Sequence, residues 1–302
     1  MTRHLALVGC TASGKSALAM ELARRLGDVE LVVVDSMQVY RGMDIGTAKP
    51  TPAEQAEIPH HLLDLADPGE DWSVTKWAAA ARQAIAGIEA RGHRALLVGG
   101  TGLYFQALID GLVPPGRFPR VRQALDDDPD TAALHRRLHE LDPLAASRME
   151  PTNRRRVVRA LEVTIGSGRS FSSFGPGVAT FPPTAWRLAG LWLPRPVVAT
   201  RIRARLDAMV AGGLVREVEH LRAGSGGLSR TARQALGYRE VLAHLEGEVP
   251  LEAAIDEADR RTRAFARRQR VWWRRDPRLR WYGAPENPFA VLPQLLGEWR
   301  ES

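Results

Sequence analysis

Gly9-Cys10-Thr11-Ala12-Ser13-Gly14-Lys15-Ser16 constrains this chain more than any other stretch, because it completes the pattern G-x-x-x-x-G-K-[ST]. Leu5-Ala6-Leu7-Val8 ahead of it reads as a short buried strand. Ala17 to Leu26 behind it reads as a helix, with Leu18, Leu22 and Leu26 four apart on one face. A glycine-rich turn whose backbone N–H groups are aimed by a helix N-terminus is a cradle for a di- or triphosphate. The candidate phosphate ligands are therefore Gly9, Thr11, Ala12, Ser13, Gly14, Lys15 and Ser16. Lys15 would reach the terminal phosphates, and the Ser16 hydroxyl would hold a bridging Mg²⁺.

The 302 residues, 44% of them apolar, suffice for one large α/β domain with an insertion. No apolar run approaches the roughly 18 residues that span a bilayer, so no membrane association is expected. Cys10 is the only cysteine and lies inside the phosphate loop, which excludes an internal disulfide and fits a cytoplasmic setting. The formal charge is +7, and arginine supplies nearly all of it, since lysine occurs only at Lys15, Lys49 and Lys76. Between Arg260 and Arg280 there are ten arginines against a single acid, Asp276, with Trp272, Trp273 and Trp281 close by. Guanidinium groups interleaved with aromatic rings suit a nucleic-acid surface. A solvated helix face over buried tryptophans has the same composition, and composition leaves both readings open.

Four apolar runs read as parallel core strands: Leu5–Val8, Leu31–Val34, Ala95–Val98 and Leu188–Leu193. Helical stretches such as Val74 to Ala90 separate them. This alternation predicts an α/β fold with a parallel-sheet core of the P-loop NTPase type. Pro114-Pro115-Gly116 and Pro182-Pro183 bracket a helical pattern, so residues 117–184 are expected to form a helical insertion domain. Residues 1–116 with 185–302 then make the core and a helical C-terminal region, through Val197–Leu221, Arg230–Leu245 and Leu251–Trp273, with a proline-broken tail beyond Pro277.

Ligands of such sheets bind beyond the carboxyl ends of the strands. In chain order, those ends lead here into the phosphate loop, Asp35, Gly99-Gly100-Thr101-Gly102, and a helix with Arg201 and Arg205 four apart. Leu31 to Asp35 matches a magnesium-holding strand of an NTPase. Asp35 also suits a general base over a phosphate-bearing substrate, with a structural turn cap as the plainer third reading. Spacing does not separate these readings. His60-His61 and Asp126-Asp127-Asp128 read as structural and solvated groups rather than metal sites.

The phosphate loop, the block Asp35-Ser36-Met37-Gln38-Val39-Tyr40-Arg41-Gly42-Met43-Asp44-Ile45-Gly46-Thr47-Ala48-Lys49-Pro50 and Leu97-Val98-Gly99-Gly100-Thr101-Gly102-Leu103-Tyr104-Phe105 together resemble the bacterial tRNA dimethylallyltransferase family. Arg159 to Val163, Gln234 to Glu240, and Thr262-Arg263 through Arg268-Gln269 continue the likeness in the family's order. It covers nearly the whole chain, and the Asp35–Pro50 block is its most specific part. Two positions depart from the pattern: Cys10 stands where the family usually has Pro, and Ser16 replaces the commoner Thr.

The resemblance implies prenyl transfer from dimethylallyl diphosphate to the exocyclic amine of the adenosine 3′ of a tRNA anticodon. It makes Asp35 the general base, Thr101 an active-site threonine and Arg205 the diphosphate clamp, with Mg²⁺ at the loop. It also makes the tRNA anticodon stem-loop the partner of a monomeric enzyme. The matching RNA candidates are Ser36, Met37, Gln38, Arg122, Arg155, Arg156, Arg159, Gln234, Gly237, Tyr238, Arg239, Arg263, Arg267 and Arg268. A small-molecule kinase offers no role for the arginine–tryptophan segment. A prenyltransferase of free adenylates shares the loop and the aspartate but needs none of the chain beyond Arg230.

Overall fold

The computed structural model describes residues 4–175, 177–224 and 226–300. Six strands form a single sheet: β1 (Leu5–Gly9), β2 (Val29–Val34), β3 (His60–His61), β4 (Arg94–Gly99), β5 (Arg187–Trp192) and β6 (Arg280–Gly283). Their order is β3-β2-β4-β1-β5-β6, and every pairing is parallel. β1, β2 and β4 are buried along their whole length, as strands covered on both faces must be. Leu5, Leu7, Leu18, Leu22, Trp77 and Phe105 are among the fully buried side chains between sheet and helices. The four expected strands are all present.

The two outer strands run against the sequence reading. His60-His61 is too short to show a period, and Arg280 to Gly283 lies in the tail expected to be broken by prolines. Arg280 and Trp281 therefore belong to an edge strand, not to the arginine-rich helix, which ends at Trp273. The expected helix over 197–221 is two helices, Arg195–Ala211 and Leu214–Ala223, because Gly213 takes φ 105° and breaks the run. The helix expected over 230–245 begins only at Tyr238, after a 3₁₀ turn at Ala232–Gln234.

Two compact units emerge, residues 1–110 with 181–302 and residues 111–180. The smaller unit packs the helices Pro119–Asp126, Thr131–Leu141, Pro143–Ser147 and Arg154–Ser167. Leu125, Leu134, Leu138, Val157, Val158 and Leu161 form its own core. Within it, Asp126, Asp127 and Asp128 accept from Arg122, Gln123 and the Asp130 N–H, surface roles that agree with the sequence reading.

At the amino end of the sheet, Glu30 is buried and accepts from Arg91, from His61 at 2.7 Å and from His93 at 2.9 Å. His61 thus serves as a structural partner. The Arg91 guanidinium, then the two imidazoles, hold the Glu30 carboxyl well down, at about 2.

Candidate active site

The phosphate loop leaves β1 through Gly9, whose added Cβ would press on the Leu191 carbonyl of β5. Ala12 takes φ 58° and Gly14 φ 86°, so two positive-φ residues alternate through the loop and curl its amides into a nest. A positive φ costs an alanine more than a glycine, and such strain collects where a ligand is held. Gly14 then starts the helix Lys15–Leu26; a side chain there would meet Pro288 and Arg201. The Ser13 hydroxyl is buried beneath the loop with no partner among the described residues.

Cations surround this nest. Lys15 Nζ lies 3.4 Å from the Cys10 carbonyl. One turn apart on the helix Arg195–Ala211, Arg201 donates to the Ala12 carbonyl at 3.0 Å and Arg205 to the Thr11 hydroxyl at 2.6 Å. Burial lowers the pKa of both Lys15 and Arg205, a tendency that Asp35 opposes by its negative charge. Desolvated cations facing a loop of amides are suited to a substrate that brings its own negative charge.

Asp35 stands at the carboxyl end of β2. Its Oδ1 accepts from the Met37 N–H at 2.8 Å and the Gln38 N–H at 3.4 Å, which turns the chain sharply after the strand. Among the described residues, no hydrogen bond is directed to Oδ2. Desolvation pushes the carboxyl above the usual carboxylate range, against the pull of those N–H groups, Lys15 and Arg205. Because β4 lies between β2 and β1, Asp35 stands two strand spacings, roughly 10 Å, from the phosphate-loop strand. The gap is filled at the edge by Gly99 to Gly102, where the Thr101 N–H reaches back to the Val34 carbonyl at 3.4 Å. Thr101 precedes the helix Gly102–Ile109 without spending its hydroxyl as a cap, and it is partly exposed.

A phosphate nest, three cations and a basic carboxylate thus share one rim. A family model described as IPP transferase matches residues 38–276, and one described as isopentenyl transferase matches residues 2–65. The chain belongs to the IPP transferase family. A tRNA dimethylallyltransferase of Geobacter metallireducens is 44% identical over 98% of this chain and 97% of that protein. One of Moorella thermoacetica is 47% identical over 97% and 94%. The crystal structure of a full-length tRNA isopentenylpyrophosphate transferase from Bacillus halodurans superposes with a TM-score of 0.72. It has 36% identity and covers 100% of this chain and 98% of that one. A eukaryotic dimethylallyltransferase acting on tRNA gives 0.76 at 26% identity, over 95% and 75%.

The arginines of this IPP transferase divide by what they already hold. Arg260 pairs with Glu257, Arg261 with Glu240, Arg263 with Asp259, Arg278 with Asp110 and Asp276, and Arg280 with Glu298, while Arg270 donates to the Leu193 carbonyl. Arg267, Arg268, Arg274 and Arg275 are exposed, with no ion pair among the described residues. Arg274 and Arg275 lie inside the arginine-rich 260–280 segment that the sequence offers to RNA but are not singled out in it, and only their lack of an acidic neighbour at helical spacing distinguishes them there. In the smaller unit, Arg155 and Arg156 are exposed, whereas Arg122 and Arg159 hold Glu162 and Arg159 also the Pro115 carbonyl.

Gln234 and Arg239 are exposed, but Gly237 and Tyr238 are buried, against the expectation that they touch RNA. The Tyr238 hydroxyl donates to Glu217 at 2.5 Å, and its ring fills the space a side chain at Gly46 would need. Glu217 in turn accepts from the N–H groups of Asp44, Ile45 and Gly46. Ser36, Met37 and Gln38 are partly exposed on the same connection, and Gln38 donates its amide to the carbonyls of Thr47 and Ala48. Sequence reasoning also assigns no role to Gln269, which is buried and accepts from the Thr11 N–H at 2.7 Å.

Proposed function

We propose that this chain transfers the dimethylallyl group of dimethylallyl diphosphate to the exocyclic amine of the adenosine 3′-adjacent to a tRNA anticodon, releasing diphosphate. The observation that carries this reading is the placement of Asp35 across an intervening strand from the phosphate nest, with an open Oδ2 and a raised pKa. That separation leaves room for a planar acceptor between base and leaving group.

In the proposed reaction the amine nitrogen forms a bond to the first carbon of the donor as its bond to the diphosphate oxygen breaks. The allylic carbon tolerates positive charge, so stabilising the departing diphosphate is the larger task. Lys15, Arg201, Arg205 and the amides of Ala12, Gly14, Lys15 and Ser16 supply charge and donors for it, the Thr11 and Ser13 N–H groups being held by Gln269 and the Cys10 carbonyl. The proton leaving the amine passes to Asp35, whose raised pKa makes it a better base than an exposed carboxylate. Thr101, beside that path, offers a hydroxyl for holding the acceptor.

Mg²⁺ is the metal these residues suit. Ser16 is exposed at the first helical turn, and hydroxyl, phosphate and water oxygens are the donors that cation prefers. Among the described residues no three metal-ligating side chains gather elsewhere, so diphosphate and water would complete the shell. When bound, Mg²⁺ would neutralise part of the leaving-group charge.

An adenine stacked in a loop is out of reach, so the base must be turned out while the protein grips RNA on either side. Ser36 to Gln38, Arg155 and Arg156, Gln234 and Arg239, and the exposed arginines Arg267, Arg268, Arg274 and Arg275 are the groups suited to that grip. Among the described residues no helix is long and apolar enough to cross a membrane. A cytoplasmic monomer acting on tRNA is the form proposed. The test is incubation of the protein and Mg²⁺ with labelled dimethylallyl diphosphate and tRNA, with AMP in a parallel tube. Label should enter tRNA alone; label in AMP alone, or turnover only with ATP, overturns the proposal. Light scattering with and without tRNA checks the oligomeric state.

A further inference from the structure

The two halves of the proposed reaction rest on two loops, the phosphate loop for the leaving group and Gly99–Gly102 on the acceptor side. One side chain from the arginine-rich helix joins them. Gln269 Oε1 accepts from the Thr11 N–H at 2.7 Å, and its Nε2 donates to the Gly100 carbonyl at 3.0 Å. A backbone donor on one side and a backbone acceptor on the other fix the direction in which the amide points. A carboxylate of the same shape would satisfy Thr11 and fail Gly100; an apolar chain would fail both. Gly100 has no Cβ, and one added there would run into this amide.

Both anchors lead directly to reacting groups. Thr11 carries its hydroxyl bond to Arg205. Gly100 precedes Thr101, whose N–H is tied to the carbonyl of Val34, the residue before Asp35. Gly99 lies so close to that same carbonyl that no side chain fits. Gln269 therefore links the diphosphate clamp to the base through two hydrogen bonds on either side.

We infer that Gln269 is a positioning residue that sets the distance between the leaving group and the attacking amine, an inference that rests on the proposed prenyl transfer. A carbon with cationic character reacts with whichever nucleophile is nearest. With the amine in line, nitrogen takes the carbon as diphosphate leaves, and the amine proton goes to Asp35. With the loops drifting apart, water reaches the same carbon. The carbon–oxygen bond to diphosphate still breaks, the water oxygen bonds to carbon, and the water proton is lost to solvent. The products are then dimethylallyl alcohol and diphosphate. Gln269 thus governs the partition between transfer and hydrolysis, as well as the rate.

The experiment compares wild type, Gln269→Met and Gln269→Glu with labelled dimethylallyl diphosphate, tRNA and Mg²⁺, counting prenylated tRNA and dimethylallyl alcohol in each reaction. Transfer should fall about 10- to 100-fold in both variants, as expected for displacement on the order of 1 Å. The ratio of alcohol to prenylated tRNA should rise by at least about tenfold. A residue needed only for folding lowers both products together, so an unchanged ratio in a folded variant overturns the inference. Gln269→Glu, which preserves shape and the Thr11 contact, carries the test alone where Gln269→Met does not accumulate as folded protein. A wild-type protein that labels no tRNA overturns the proposed function along with this inference; an unchanged ratio overturns this inference alone.

Discussion

The Arg205 guanidinium donates to the Thr11 hydroxyl at 2.6 Å, so the clamp across the rim is tied to the phosphate loop itself. Arg201, one turn earlier, holds the next residue of that loop by its carbonyl. Arg205→Ala should lower turnover about 10²- to 10³-fold, the cost of losing one donor to a developing anion. Arg205→Lys restores the charge without the planar fork and should recover only part of this loss. Steady-state kinetics with varied dimethylallyl diphosphate checks it, and a rate unchanged in Arg205→Ala would remove the clamp from the mechanism.

Asp35→Asn should reduce turnover by about two to four orders of magnitude while tRNA affinity stays near the wild-type value. Because burial raises the Asp35 pKa, the active, deprotonated form disappears as pH falls through a point above the ordinary carboxylate range. Turnover should therefore climb with pH on a limb displaced upward, and the residual activity of Asp35→Asn should lack that limb. A pH–rate profile of both proteins reads this directly.

Glu30 has its carboxyl held at about 2, against an ordinary 4.5, by Arg91, His61 and His93. A depressed carboxylate contributes stability that is complete above the unfolded pKa and disappears as pH falls toward the folded one. The wild-type unfolding midpoint should decline between about 4.5 and 2, and Glu30→Gln should show much less of that dependence. At neutral pH the substitution should cost about 1–3 kcal/mol, since Arg91 and His93 are themselves partly solvated. Urea titrations across pH test it; turnover by the folded fraction should not change, because Glu30 lies at the opposite end of β2 from Asp35.

Replacing Arg267, Arg268, Arg274 and Arg275 together should flatten the dependence of tRNA affinity on salt, by roughly 0.7–0.9 in log–log slope for each phosphate that is no longer neutralised. Arg260→Ala serves as the control, since its guanidinium is already held by Glu257 and its removal should leave the slope alone. Filter binding over a salt series distinguishes the two. An equal slope in the quadruple variant would assign these side chains to solvent.

Gly14→Ala should abolish diphosphate binding and lower stability by about 1 kcal/mol or more, because the position is left-handed and its Cβ would strike Pro288 and Arg201. Isothermal titration with diphosphate and thermal unfolding test the two halves separately.

The central strands are legible in the sequence because short apolar runs, each leading into a chemically distinctive turn, carry their own signal. Asp35, Arg205 and the phosphate loop can be placed at one rim for that reason. β3 and β6 cannot, since such short stretches of mixed polarity acquire strand geometry only from the neighbour they pair with. Tyr238 reads as an RNA contact because its surroundings resemble a recognition motif, yet Glu217 and Gly46, remote in sequence, make it a buried post. Gln269 is hidden for a similar reason: the two backbone groups that use it lie 258 and 169 residues away.

The pairing of β1 with β5 joins Leu5 to Arg187, with the whole of residues 111–180 between them in the chain. On the ribosome, β1 must wait for most of the chain before one of its edges is covered, roughly ten seconds or more at ordinary synthesis rates. Any fragment released before residue 187 carries the nest at the end of a strand with one bare edge, open to pairing with another nascent copy. The order of synthesis thus leaves the phosphate-loop strand half open until β5 is made, and the far edge of β5 open until β6 follows near the end of the chain.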